Sequence, residues 1–312
     1  MGQDLAVMAV GDIGLVGGSG DYPSMARPIS GAGENLCQWL EKVSPVLRQG
    51  DFTLGNLEGV IGESLAPTEG KSGTGAGLIR MSPQAADILK RAGFHSVGLA
   101  NNHTMDYGSE GMIQTLANLK RVGIVPSGGG RNSEEARKPA ILERDGVKLA
   151  VLSYSSVFVP GLFPAGESKP GIATVAVNTS YEIPGNIAYA PGAPPRIITT
   201  PKREDREKME KDVRQAKAQA DVVVVNWHWG LTRYANSYGS GLPIEDSLFY
   251  VLNYQEEMGR VAIDAGADLI IGHHPHRLQG MELYKGKLIC YSLGILTMPF
   301  LMEANFELRE MR

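Results

Sequence analysis

MGRVAIDAGADLIIGHHPH, residues 258–276, runs from a helix through a strand into a histidine cluster. Met258, Val261, Ala262 and Ala265 fall at helical spacing, and Gly266 ends the helix they predict. Leu269 to Ile271 then has the length and apolarity of a buried strand. Directly after it stand Gly272, His273, His274, Pro275 and His276. Alternation of helix and strand is the signature of a layered α/β fold, and in open α/β sheets functional groups gather at the carboxyl ends of strands.

The same pattern recurs outward from this stretch. Leu5 to Val10 predicts a strand followed by Gly11-Asp12, and Phe52 to Leu54 one followed by Asn56-Leu57-Glu58. Ser96 to Ala100 leads into Asn101-Asn102-His103, and Asp221 to Val225 into Asn226-Trp227-His228. Helices are predicted over Leu36–Arg48, Pro83–Ala92, Glu110–Arg121 and Lys202–Ala220, the last with Met209, Val213, Ala216 and Ala220 on one stripe. Ala140–Glu143 with Val147–Tyr154 reads as a hairpin, as does Gly280–Ser292 turning at Lys285-Gly286. The proline- and glycine-rich residues 157–201 read as a long loop, a lid or binding insertion in an otherwise single domain over residues 1–312. Tyr234 to Tyr254 reads as a second, aromatic insertion.

Bulk composition excludes several classes. Of 312 residues, 43% are hydrophobic and 21% charged, an ordinary globular balance. A net charge of −4 gives no basic excess for nucleic acid or an anionic membrane. Cys37 and Cys290 have no metal-ligand spacing and are expected as structural thiols. The first residues lack a basic leader and an apolar span, so the expectation is a cytoplasmic protein without membrane anchor.

Five of the six histidines lie in the strand-end clusters, and His95 alone is left as structural. Imidazole with carboxylate and amide oxygen suits a transition metal such as manganese, iron or zinc. Asp12, Glu58, Asn102, His228, His274 and His276 offer enough donors for two ions sharing a carboxylate, which together can clamp an oxyanion. On an extended segment, His274 and His276 would point to one side. Singly, each has a structural reading: Asp12 as a turn residue, Asn101-Asn102 as a helix cap, His228 as a core histidine. Glu69-Gly70-Lys71-Ser72 fails as a phosphate loop, because Leu65 stands where its leading glycine belongs. Gly128-Gly129-Gly130 reads as a flexible turn, with an anion nest as the alternative, and Trp227 and Trp229 as packing or pocket wall.

Together, Gly11-Asp12, Asn56-Leu57-Glu58, Ala100-Asn101-Asn102-His103, His228-Trp229-Gly230, Gly272-His273-His274-Pro275-His276 and Tyr291-Ser292-Leu293-Gly294 resemble the CapA capsule-synthesis family, of the calcineurin-like metallophosphatase superfamily. The resemblance runs from about Leu5 to Gly294 and implies a layered αββα sandwich. It implies Glu58 as the carboxylate bridging two ions, Asn102, His228 and His274 as further ligands of one, and Asp12 with His276 as ligands of the other. His103 is implied as a proton donor or oxyanion support, and the nearby Asp106 is read as its orienting partner. Asn56, Asn101, His273 and Trp229 are expected to contact substrate. Gly14 replaces the superfamily's second first-motif ligand, so one ion is expected to bind firmly and the other weakly. Glu58 stands where the superfamily usually has aspartate, and Ile295-Leu296 where it has Asn-Phe.

The expected function is metal-dependent hydrolysis of a peptide or γ-glutamyl amide, or of a phosphate ester, in capsule or polyglutamate metabolism. Proton transfer at a peptide α-carbon, which is epimerisation, is the second expectation. A non-catalytic accessory role in polymer synthesis is the third.

Overall fold

Periodicity in the sequence becomes two sheets, each covered on its outer face by helices. The structure, a computed structural model, describes residues 5–15, 33–69, 78–182, 195–232 and 250–298, with the backbone alone for 33–39. The strands are β1 (Val7–Ile13), β2 (Phe52–Leu57), β3 (Val60–Ile61), β4 (Arg80–Met81), β5 (Ser96–Gly98), β6 (Val125–Ser127), β7 (Gly129–Gly130), β8 (Ala140–Arg144) and β9 (Val147–Ser155). They continue with β10 (Gly171–Ile172), β11 (Val177–Glu182), β12 (Arg196–Pro201), β13 (Val222–His228), β14 (Leu269–His273), β15 (Met281–Tyr284), β16 (Lys287–Cys290) and β17 (Ile295–Thr297). The helices are α1 (Gly33–Leu47), α2 (Gln84–Ala92), α3 (Gly108–Arg121), α4 (Ser133–Arg137), α5 (Arg203–Lys217) and α6 (Asn253–Ala265).

One sheet has the order β17-β1-β2-β5-β6, parallel throughout. The other runs β15-β16-β14-β13-β9-β8, parallel in its centre with antiparallel edges at β15 and β8. Side chains alternate across each strand, so every central strand feeds two cores. Phe52, Leu54, Val151, Val224 and Ile271 form the core between the sheets. Leu40, Leu47, Leu89, Met112 and Leu119 bury α1, α2 and α3 against the first sheet. Met209, Val213, Met258 and Ala262 bury α5 and α6 against the second. The fold is therefore the layered αββα sandwich expected from the sequence. Among the described residues, no helix is long and apolar enough to cross a membrane.

The chain crosses from one sheet to the other between β16 and β17, and two glycines make room for it. Leu293 N donates to Gly272 O at 3.0 Å, and Asp12 N donates to Gly294 O at 2.9 Å. A Cβ on Gly272 would overlap the Tyr291 carbonyl, and one on Gly11 the Gly294 carbonyl. Backbone cannot yield as a flexible side chain can, so Gly272→Ala should destabilise the fold by about 2–3 kcal/mol. A thermal melt checks this: an unchanged midpoint would mean that the crossover can shift without cost.

Several sequence expectations meet a different arrangement. Residues 157–201, read as a loop, include the β11–β12 hairpin, and Thr199 N and its hydroxyl both donate to Asn253 Oδ1 on α6. Phe163 and Ile172, from the same segment, are buried in the core of the first sheet. Gly129-Gly130, read as a flexible turn, is a buried strand paired with Gly171-Ile172. His95 is structural as expected, its Nδ1 accepting from Thr53 N at 3.0 Å. The stretch 70–72 of the rejected phosphate loop, residues 233–249 of the aromatic insertion, and the Cys37 side chain lie outside the described residues.

Candidate metal centre

At the carboxyl ends of β1, β2, β5, β13 and β14, the two sheets bring all five polar clusters together. A register irregularity in β1 between Ala9 and Asp12 places Asp12 there. Strict alternation from Ala9, which packs between the sheets, would aim Ile13 inward and Asp12 outward. Instead Ile13 packs on the helix side and Asp12 reaches across to the second sheet. Asn226 to His228 and Gly272-His273 are the last residues of their strands rather than residues beyond them.

Two groups of buried donors result. Glu58, His228 and His274 have ligand atoms within 4.8 Å of one another, and so do Asp12, Glu58 and His276. Glu58 belongs to both groups. Its Oε1 lies 3.9 Å from His228 Nε2, 3.7 Å from His276 Nε2 and 3.8 Å from His103 Nε2. Asn102 Oδ1 lies 2.7 Å from His228 Nε2, which adds an amide oxygen to the first group. His274 Nδ1 is buried and meets no hydrogen-bond partner among the described residues. Buried nitrogen and oxygen donors converging in this way are what a transition-metal site requires. The residues present thus fit divalent metal.

His274 and His276 converge by a route that the sequence reading did not anticipate. Their backbone φ angles are 96° and 56°, so the segment curls in the left-handed region instead of running extended. Non-glycine residues rarely adopt that region, and its cost is usually tolerated where it positions functional groups. His274 N donates to Asp12 Oδ2 at 3.1 Å, which helps hold the curl.

Around the donors lies a layer of buried amides. Asn56 Nδ2 donates to Asp12 Oδ1 at 2.8 Å and lies 3.3 Å from His228 Nδ1. Asn101 Nδ2 donates to Leu57 O at 2.8 Å and to Asn56 Oδ1 at 3.2 Å, while its Oδ1 accepts from His103 N. His273 Nδ1 lies 3.4 Å from Asp12 Oδ1. Asn56, Asn101 and His273, expected at the substrate, are each at most 2% exposed, and their contacts suit them to holding ligands in place. Trp229 is not brought to the site. It stacks on Trp227 with ring centroids 5.0 Å apart and donates to Tyr291 O at 2.8 Å, on the core side opposite His228.

His103 is fixed from behind, its Nδ1 2.9 Å from Asp106 Oδ2, which also accepts from Ile79 N at 2.7 Å. The sequence carries no signal for Ile79, which acts through its backbone. It also gave no role to Asn226, buried two positions before His228, with amide N and O unpartnered among the described residues. Its spacing from His228 places it on the same strand face.

Charge at the centre is unevenly held. Burial opposes ionisation of Asp12, but hydrogen bonds and charge from His273 and His276 keep its carboxyl well below the ordinary range. Burial, then the nearby charge of His274, push His228 well below the usual imidazole value. Burial and the charge of His276 push His274 down to about 3. Burial works against His276 too, but the charge of Glu58 and the hydrogen bond to Asp12 raise it to about 9. His276 therefore favours its protonated form beside the two carboxylates when no metal is bound.

A metal ion held by His276 would have to displace that proton. Asp12, His228 and His274 have already lost theirs at neutral pH, so His276 dominates the pH dependence among these groups. Affinity should rise about tenfold per pH unit from pH 6 toward 9, then level off. Calorimetric titration with manganese across that range checks this, and a flat profile would remove His276 as the competing group.

Known proteins align with this chain over most of its length. It is 31% identical over 252 residues to the capsule biosynthesis protein CapA of Bacillus anthracis, covering 81% of this chain and 51% of that protein. It is 29% identical over 291 residues to the PGA biosynthesis protein CapA of Bacillus subtilis (strain 168), covering 93% and 62% respectively. A probable polyglutamine synthesis accessory protein of Mycobacterium tuberculosis is 27% identical over 219 residues, covering 69% and 48%. The chain therefore spans about half to three-fifths of the length of these relatives. The structure of Haemophilus influenzae NAD nucleotidase (NadN) overlaps with a TM-score of 0.35 and 15% identity, covering 80% of this chain and 34% of that one, too loosely for a functional comparison. Matched from residue 6 to residue 297 by the family model of the bacterial capsule synthesis protein PGA_cap, the chain belongs to that family.

Proposed function

We propose that the chain is a metal-dependent hydrolase acting on a peptide or γ-glutamyl amide, or on a phosphate ester, in capsule or polyglutamate metabolism. The observation that carries this reading is the pair of buried donor groups sharing Glu58, with His103 beside them and held by Asp106. A divalent ion bound there would supply Lewis-acid polarisation of a carbonyl or phosphoryl oxygen. Glu58, Asn102, His228 and His274 would hold one ion firmly, and Asp12 with His276 and Glu58 a second, weaker one.

The protein's own groups supply the rest. Asp106 accepts the Nδ1 proton of His103, which leaves Nε2 as the atom that takes or gives a proton. Asn101 fixes the backbone of that residue through His103 N. Asn56 keeps Asp12 and His228 apart at a set spacing, since its amide nitrogen meets both. Turnover of γ-glutamyl amides and phosphate esters should appear on adding manganese and vanish on chelation. An absence of turnover with either substrate class in fully loaded protein would defeat the hydrolase reading.

The accessory reading draws support from the name of the Mycobacterium tuberculosis relative, a probable polyglutamine synthesis accessory protein. In that case the chain would bind polymer or its precursors without converting them. Metal-independent polymer binding by a chain that turns nothing over would favour it.

A further inference from the structure

Outside the metal centre, a cavity of about 450 Å³ opens between α4, the start of α5 and residues 158–176. Three cations line it, Arg137, Lys202 and Lys208, against one carboxylate, Asp205. Phe158, Pro164 and Ile172 supply apolar wall.

Two of the three cations have a carboxylate neighbour, and Lys202 has none among the described residues. Arg137 is held from behind: Nη2 lies 2.7 Å from Asp212 Oδ2, and the guanidinium carbon stands 5.5 Å from the Tyr154 ring centroid. Tyr154 in turn donates its hydroxyl to Asp212 at 3.0 Å. The other nitrogens of the fork, Nε and Nη1, meet no protein acceptor among the described residues. Asp205 Oδ2 already accepts from Ala176 N at 3.0 Å, and Lys208 Nζ stands 3.7 Å from its Oδ1. Lys202 forms no ion pair among the described residues. With Asp205 and Asp212 counted, one positive charge remains uncompensated.

We propose that this cavity binds the carboxylate of an acidic, partly aliphatic chain, at a site separate from the metal centre. A preorganised guanidinium fork with free donors matches a carboxylate in geometry. The single surplus charge matches a carboxylate better than a phosphate, which carries nearly two. Apolar walls accept the methylene groups that an acidic side chain brings with it. The cavity flanks the sheet end that carries His228: Ser155, in register with His228, donates its backbone N–H to Ala173 O of the cavity wall at 3.0 Å. The site stands whether or not the metal centre turns over substrate.

Calorimetric titration of the full chain with a triglutamate peptide, and separately with inorganic phosphate, tests this. Triglutamate should bind the native protein and the Glu58→Gln variant equally. Lys202→Ala and Arg137→Lys should each weaken binding about tenfold while metal content stays unchanged. Lys202 makes no side-chain cap to α5, so its removal leaves the helix start intact and keeps the test meaningful if Arg137→Lys fails to fold. Binding that ignores both substitutions, that disappears with Glu58→Gln, that phosphate matches in affinity, or that is absent at millimolar peptide would overturn the proposal.

Discussion

Glu58→Gln should empty both metal positions at once. The carboxylate is buried and belongs to both donor groups, so its replacement by a neutral isostere removes a ligand from each. Losing an outer-shell partner alone costs roughly 10–100-fold in metal affinity, so loss of the shared ligand should reach at least the upper end at both positions. Metal content by plasma mass spectrometry should fall from about one or two equivalents to near zero. A second readout separates this from unfolding. Burial lowers the His276 pKa and the charge of Glu58 is the first influence raising it to about 9; in the metal-free variant, that value should fall. NMR titration of the imidazole would report the change in a folded chain. One full equivalent of metal surviving the substitution would mean that the two positions do not share this carboxylate.

His103→Asn should do the opposite, sparing metal and removing turnover. His103 belongs to neither donor group, and its Nε2 stands 3.8 Å from Glu58 Oε1 with Asp106 fixed behind the ring. General acid–base groups contribute about 10²–10⁴-fold, so kcat should drop by at least a hundredfold in a protein that still holds its metal. Asp106→Asn should cost less in rate, because the ring stays while its orientation loosens, but it also weakens the anchor for Ile79 N. A kinetic profile across pH distinguishes the two: His103→Asn should abolish the dependence on the imidazole, whereas Asp106→Asn should shift it. Unchanged kcat in metal-loaded His103→Asn would remove this residue from the chemistry.

The layers were legible because burial writes itself into sequence. Met209, Val213 and Ala216 repeat at helical spacing and are the buried face of α5, and the apolar run at Leu269–Ile271 lies at the centre of the second sheet. The candidate ligands were legible because five polar clusters holding five of the six histidines recur at strand ends, although each alone has a structural reading. Three features were not. The left-handed curl at His274 and His276 depends on Asp12 Oδ2, 262 residues away in the chain, and local pattern cannot encode so distant a contact. Residues 157–201 have a loop's composition, yet Phe163 and Ile172 find burial against a distant sheet. The placement of Trp229 was open because the two residues that flank His228 share a face whose covering, here α6 and Tyr291, is set only by tertiary packing.

The crossover between β16 and β17 has a consequence for synthesis. Asp12 is made well before Gly294 and the segment 273–276, yet its backbone N–H is satisfied by Gly294 and its carboxylate in part by that segment. Until those residues emerge, β1 lacks a neighbour on one side and each donor group lacks one histidine, His274 or His276. Contacts of such long sequence separation form slowly because loop closure comes first. A nascent chain arrested before β14 should therefore leave each donor group one histidine short, and any ion the centre takes would be held fully only once His274 and His276 join.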